Sequence, residues 1–199
     1  MAEINAEMVK ELRGKTGGGI MDCKEALSRC NGDMDKAVDF LRKKGLATAA
    51  KRAGKTSSEG IVETYIHMGG KIGVLVEVGC ETDFVAKTDD FKKFAKNIAM
   101  HIAAVNPLGI NPSDIPEEIV NREKDIYREQ AREMGKPEQM IDKIAEGKLN
   151  KFFKDNCLMN QLYVRDTSMT ISDLLNDMIG KIGESITIKR FARFQIGEG

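Results

Sequence analysis

The sequence predicts an α+β protein, and three observations carry that reading. Apolar residues recur at the helical period through the first 45 residues, two alternating apolar runs then flank Gly69-Gly70, and helical patterns return before a single terminal strand. Strands and helices are therefore segregated along the chain, which excludes a sheet built from repeated βαβ units.

Asn5 is placed to cap a first helix carrying Met8, Val9 and Leu12, which stops at the Thr16-Gly17-Gly18-Gly19 turn. Residues Asp22 to Arg29 read as a second helix. A third carries Met34, Ala37, Val38 and Leu41 and is expected to end at Gly45. Ala47 to Gly60 has no apolar period and reads as a weak helix running into a linker. Ile61 to Ile66, the Met68-Gly69-Gly70 turn and Ile72 to Val78 make a β-hairpin signal. A helix from about Asp89 carries Phe91, Phe94, Ile98 and Ile102 on one face and ends at Asn106-Pro107. Pro116 opens a long charged helix with Ile119, Ile126 and Tyr127. Gly135-Lys136-Pro137 breaks it before a second with Met140, Ile144, Leu149 and Phe152-Phe153. These two, at about 116–156, are expected to form an antiparallel hairpin that projects and pairs mainly with itself. Ile171 to Ile182 reads as a helix, and Ser185 to Phe191 with Phe194 as the last strand.

With 41% apolar residues among 199, the chain has enough material for a real core. Lys plus Arg and Asp plus Glu are 31 each, so no whole-molecule field draws it to nucleic acid or to a membrane. No run approaches the roughly 20 apolar residues of a membrane-spanning helix, and the start MAEINAEMVKELRGK lacks a secretory apolar stretch, so cytoplasmic residence is expected. Cys23, Cys30, Cys80 and Cys157 show no CxxC spacing and are joined only by His67 and His101 as nitrogen ligands. No metal site is expected, and the cysteines read as reduced thiols packed as small apolar side chains.

Ala53-Gly54-Lys55-Thr56 imitates the end of a phosphate-binding loop but fails as one. The required glycine five residues before Gly54 is Ala49, and a basic helix stands where a buried strand should precede. Nucleotide binding by this chain, and any cofactor, is therefore not expected. Arg42, Lys43, Lys44, Lys51, Arg52 and Lys55 form a local basic patch, which reads as a solvated linker in preference to a phosphate-binding surface, since no aromatic residue interleaves it to stack bases. Neither histidine is accompanied by a nucleophile at a recognisable spacing, so no enzyme chemistry is indicated. The unusual segment is Glu81-Thr82-Asp83-Phe84-Val85-Ala86-Lys87, an aromatic beside an acid in the connection leaving a buried strand. Two readings stand, that Phe84 folds back onto the core or that it is presented to a partner, and the spacing alone favours the core.

The segments Val9 to Arg13, Thr16 to Leu27 and Thr82 to Lys87 resemble the elongation factor Ts family, as do Ile98 to Ala104, Gly135-Lys136-Pro137 and Phe194 to Gly199. The chain departs from the family pattern at Gly18, at Ile20 and across Leu158 to Val164. The resemblance implies a guanine nucleotide exchange factor for elongation factor Tu in translation elongation, acting by protein binding without bond chemistry. It implies a ubiquitin-associated-like three-helix module and linker over 1–54 that docks on the GTPase through Arg13, Ile20 and Met21. It further implies an α+β dimerisation core over 55–199, in which Thr82, Asp83, Phe84 and Val85 enter the GTPase and dislodge its Mg²⁺. With a single copy of that core, the chain is expected to be a homodimer.

Overall fold

The computed structural model describes residues 4–52 and 54–198. Helices α1 (Ala6–Thr16), α2 (Ile20–Arg29) and α3 (Met34–Arg52) precede strands β1 (Glu59–Ile66) and β2 (Ile72–Cys80). Then come α4 (Asp83–Ala86), α5 (Asp89–Val105), α6 (Glu117–Glu133) and α7 (Glu138–Asn156), strands β3 (Leu162–Tyr163) and β4 (Asp166–Thr170), α8 (Ile171–Ile182) and β5 (Ile186–Gln195). The mixture of helices and small antiparallel sheets is α+β, as the sequence predicts.

Contacts divide the chain into two compact units, one of Met1–Val62, Glu77–Ala95 and Asp173–Thr187, the other of Glu63–Val76, Lys96–Ser172 and Ile188–Gly199. A sheet ordered β1-β2-β5 lends strand segments to both. Next to its strands, His67 N–H meets the Ile72 carbonyl, Ile196 N–H meets that of Lys71, and Ser185 N–H meets the Glu81 side chain. Val74, Val76 and Val78 alternate inward on β2 while Leu75 faces out, the pattern of a sheet packed on one face only.

In the first unit, the Asn5 side chain caps α1 by accepting from Met8 N–H at 2.9 Å. Gly17 closes α1 in the left-handed region at φ 67°, a conformation that a side chain would strain. Leu12, Cys23, Ala26, Leu27 and Ala37 form the core of this three-helix group, with Met8, Val9, Met34, Val38 and Leu41 packed around them. Helix α2 begins at Ile20, two residues earlier than its sequence pattern suggests, because Gly19 is extended and its carbonyl accepts Cys23 N–H.

The expected stop at Gly45 does not occur, and α3 continues to Arg52. Gly45 is there for proximity. A Cβ built on Gly180 of α8 would stand 2.7 Å from the Gly45 Cα, so the two glycines let two helix backbones touch. The close approach offsets the poor helix propensity of glycine, about 1 kcal/mol relative to Ala.

In the second unit, α6 and α7 pair in opposite directions: Arg132 bonds Glu138, Arg128 bonds Asp142, and Lys148 reaches back to Gln130. The buried seam is Ala131, Ile141 and Ala145, whereas the larger Ile119, Ile126 and Met140 singled out by the sequence pattern stay exposed. Small residues win the seam because they allow closer helix approach, and the ion pairs above it are exposed and individually worth little.

Strands β3 and β4 form a hairpin that the sequence pattern does not predict, and His101 on α5 holds it. Val164 N–H donates to His101 Nδ1 at 3.3 Å, so the ring proton sits on Nε2, 3.1 Å from Gln161 Oε1. Gln161 in turn donates to the Asp155 carbonyl. The imidazole is fully buried, which pushes its pKa below the ordinary 6.5, with the Gln161 bond opposing.

Gly180→Ala should destabilise by about 1–2 kcal/mol, because overpacking against backbone costs about 1–3 kcal/mol and outweighs the propensity gained. Gly147→Ala in α7, where a Cβ meets nothing within 4 Å, should instead stabilise by up to about 1 kcal/mol. Urea melts of the two variants decide it. For His101, the unfolded imidazole takes its proton near pH 6.5 and the folded one resists, so stability falls as pH drops below 6.5 towards the folded pKa. The slope is at most about 1.4 kcal/mol per pH unit. Between about pH 7.5 and 5.5, His101→Asn should lose less stability than the native chain.

Candidate partner-docking site

The stretch from Cys80 to Asp89 passes from buried strand to buried helix through a single exposed turn. Thr82 is extended and caps α4, its Oγ1 accepting Val85 N–H at 3.4 Å. Val85 and Ala86 are buried beneath the turn. Thr88 then accepts Phe91 N–H and donates to the Val85 carbonyl, so α4 lies between two threonine caps. Only its outward residues, Asp83 and Phe84, are left to solvent with the Thr82 edge.

Phe84 is 76% exposed. The core-packing reading therefore fails, since a phenylalanine used for the protein's own core would be covered as Phe91 and Phe94 are. Asp83 lies beside it with its carboxylate 2.7 Å from Lys87 Nζ, and that hydrogen bond holds the acid below the usual carboxylate range.

Behind the turn stand two acids, Glu81 at the head of the segment marked out by the sequence and Glu184, which sequence reasoning did not single out. Glu184, between α8 and β5, accepts both Thr82 N–H at 3.1 Å and the Thr82 hydroxyl at 2.7 Å. Glu81 returns the contact by accepting Ser185 N–H at 2.7 Å, and Arg52 of α3 places one guanidinium nitrogen 2.9 and 3.0 Å from its two oxygens. The Ser185 bond first, and Arg52 after it, lower the Glu81 pKa. The Cys80 thiol, whose pKa is raised by burial, completes the cluster by donating to the Thr82 carbonyl at 3.1 Å. Nothing local marks Glu184 in the sequence, because its partner is 102 residues away.

The second set of expected residues flanks the glycine turn of the same unit. Ile20 and Met21 open α2 and are 57% and 74% exposed, whereas Cys23, Ala26 and Leu27 further along the helix are buried. Arg13 is exposed in the last turn of α1. All seven predicted positions thus fall in one compact unit, and Val85 alone among them is buried.

The basic patch is not the solvated linker expected. Lys44 bonds Asp22 and Glu25, Arg42 lies 3.6 Å from Asp173, and Arg52 and Lys55 both face Glu81, so four of its six charges are matched within the chain. Around Gly54-Lys55-Thr56 the order is helix, turn, strand, the reverse of a phosphate loop, and Ala53 lies outside the described residues. Among the described residues no cluster of His, Cys, Asp and Glu is arranged to hold a metal, and no helix is long and apolar enough to cross a membrane. The four cysteines are free, and Cys23, Cys80 and Cys157 are buried.

An α+β fold that holds apolar tips rigidly in solvent has the build of a protein-binding module. Comparison with known proteins names the module. A family model described as elongation factor TS matches residues 35–198. Over 198 residues, all of both chains, the sequence is 66% identical to elongation factor Ts of Desulfosudis oleivorans. It is 60% identical to that of Caldanaerobacter subterraneus subsp. tengcongensis and 58% to that of Syntrophus aciditrophicus, over 97–98% of each chain. The chain belongs to the elongation factor Ts family.

Proposed function

We propose that the chain is the guanine nucleotide exchange factor of elongation factor Tu and acts in the cytoplasm during translation elongation. The observation that carries this is Phe84, three-quarters exposed on a turn held at both ends by backbone and threonine hydrogen bonds. Its transfer free energy is unrealised in the free chain and becomes available to a partner that buries it.

In this reading residues 1–54 form the GTPase-docking module, similar to ubiquitin-associated three-helix domains, with Ile20 and Met21 as its apolar contacts and Arg13 as its charge. Thr82 to Val85 then enter the GTPase as one piece: Thr82 and Val85 anchor the turn, and Asp83 and Phe84 reach the elements that hold Mg²⁺. GDP affinity depends on that cation neutralising phosphate charge in a fixed geometry, so displacing it releases the nucleotide. No bond is made or broken. The effect is a coupling free energy between factor and GDP, typically about 1–3 kcal/mol for allosteric pairs, and it is reciprocal: the factor weakens GDP as much as GDP weakens the factor. Incoming GTP then dissolves the complex.

Residues 55–199 form the dimerisation core in the same reading, with the α6–α7 hairpin projecting from it. Ile66, Leu75, Phe194 and Ile196 are exposed on the open side of the sheet, and Phe194 and Ile196 are 69% and 75% exposed. A second copy of the chain covers this apolar face by presenting the same face back.

Phe84→Ala should leave the melting temperature within a few degrees, as expected for an exposed side chain, where a core phenylalanine would cost about 3–5 kcal/mol. The same preparation should accelerate release of fluorescent GDP from elongation factor Tu several-fold less than the native chain. Full exchange activity per folded molecule would remove Phe84 from the mechanism. For the dimer, sedimentation at micromolar concentration should give twice the mass of the 199-residue chain, and Phe194→Asp should shift it to the monomer. A native chain that sediments as a monomer refutes the pairing.

A further inference from the structure

The geometry points to Glu184 as a positioning residue for nucleotide exchange: its carboxylate clamps Thr82 and thereby fixes the direction in which α4 presents Asp83 and Phe84. Helix α4 has four residues, too few to hold a helical turn by their own hydrogen bonds. Its geometry is imposed from its ends. Burial of Val85 and Ala86 fixes the depth of the turn, and Thr82 fixes its start.

Both donors of Thr82 are engaged by Glu184, the N–H at 3.1 Å and the hydroxyl at 2.7 Å, while the hydroxyl oxygen accepts Val85 N–H and the carbonyl accepts the Cys80 thiol. A single carboxylate therefore sets both the backbone and the side-chain rotamer of the capping residue, through charge-assisted bonds that are stronger than neutral ones. Thr82 has no donor left for a partner, so its part in the site is to transmit the clamp. Glu184 is itself held, because the next residue, Ser185, gives its N–H to Glu81. Without the clamp, α4 frays and Phe84 samples several directions, and the ordering cost then falls on the step that inserts the turn after the factor has docked.

The inference rests on the exchange reading above, and the test separates the two. Glu184→Gln keeps the shape and one acceptor but loses the charge and one of the two bonds. With Glu184→Gln, GDP release from elongation factor Tu at saturating factor should fall about three- to tenfold, and the half-saturating concentration should stay within about twofold, since the docking contacts at Ile20 and Met21 are untouched. Thr82→Val should fall similarly and Thr82→Ser should retain activity. Adding Phe84→Ala to Glu184→Gln should cost no more than Phe84→Ala alone, because one acts through the other. Equal loss in Thr82→Ser and Thr82→Val, a shift confined to half-saturation, or a loss that merely tracks the folded fraction overturns the proposal. In the free chain, amide exchange of Thr82 and Val85 should quicken about tenfold in Glu184→Gln. Unchanged amide exchange overturns the clamp whatever the GTPase does. A native chain that fails to accelerate GDP release, with the amides behaving as expected, sinks the exchange reading and leaves the clamp standing.

Discussion

Two glutamates cross-tie the end of β2 to the start of β5, and the exposed turn between β2 and α5 depends on them. Glu81 accepts the N–H of the residue after Glu184, and Glu184 accepts the N–H of the residue after Glu81. Each acid satisfies a backbone donor just outside the sheet ladder, Thr82 past the end of β2 and Ser185 before the start of β5, where an unpaired donor would be costly. Arg52 brings the end of α3 to the same point through Glu81. Three segments distant in sequence thus converge on two carboxylates, and the first residues beyond the crossing are those of the candidate wedge.

The same economy governs the helices. Where backbones must come close, the chain places its smallest residues: Gly45 against Gly180, and Ala131 and Ala145 beside Ile141. Elsewhere several large apolar side chains stand at the surface, among them Ile20, Met21, Ile66 and Phe194. Exposure of that many large apolar residues on a chain with an otherwise complete core is an unfavourable arrangement for a solitary molecule. It is intelligible on the proposed reading, in which partners cover these surfaces for part of the time.

How much of this was legible in the sequence depends on the range of the interaction. Asn5 as a cap, the α5 face of Phe91, Phe94, Ile98 and Ile102, and the extent of α8 were readable because capping and periodicity are local. Gly45 was misread as a stop because propensity is local while the reason for that glycine is α8, far along the chain. The basic run from Arg42 to Lys55 looked solvated because its carboxylate partners, Asp22, Glu25, Glu81 and Asp173, lie elsewhere in sequence. The β3–β4 hairpin escaped because strands of two and five residues give too few alternations to count. Within the candidate site, the segment from Thr82 to Val85 was singled out as partner-binding by family resemblance alone. The division of labour inside it, with Thr82 and Val85 held and Phe84 free, needed coordinates.

That division has a thermodynamic reason. A wedge that must dislodge part of a partner can deliver only the free energy left after its own ordering is subtracted. A flexible Phe84 would give up part of its transfer energy, about 1.5–3 kcal/mol for full burial, to conformational entropy at the moment of binding. Holding the turn by Thr82, Val85 and Thr88 means that this ordering cost is met when the chain folds and is offset by its core. The exposed pair Asp83–Lys87 adds little to folding stability, as expected of a surface ion pair, and it leaves the carboxylate free to change partners without disturbing the turn. A rigid base and an exchangeable tip are what a protein needs if it must bind tightly enough to displace a ligand and let go when a different one arrives.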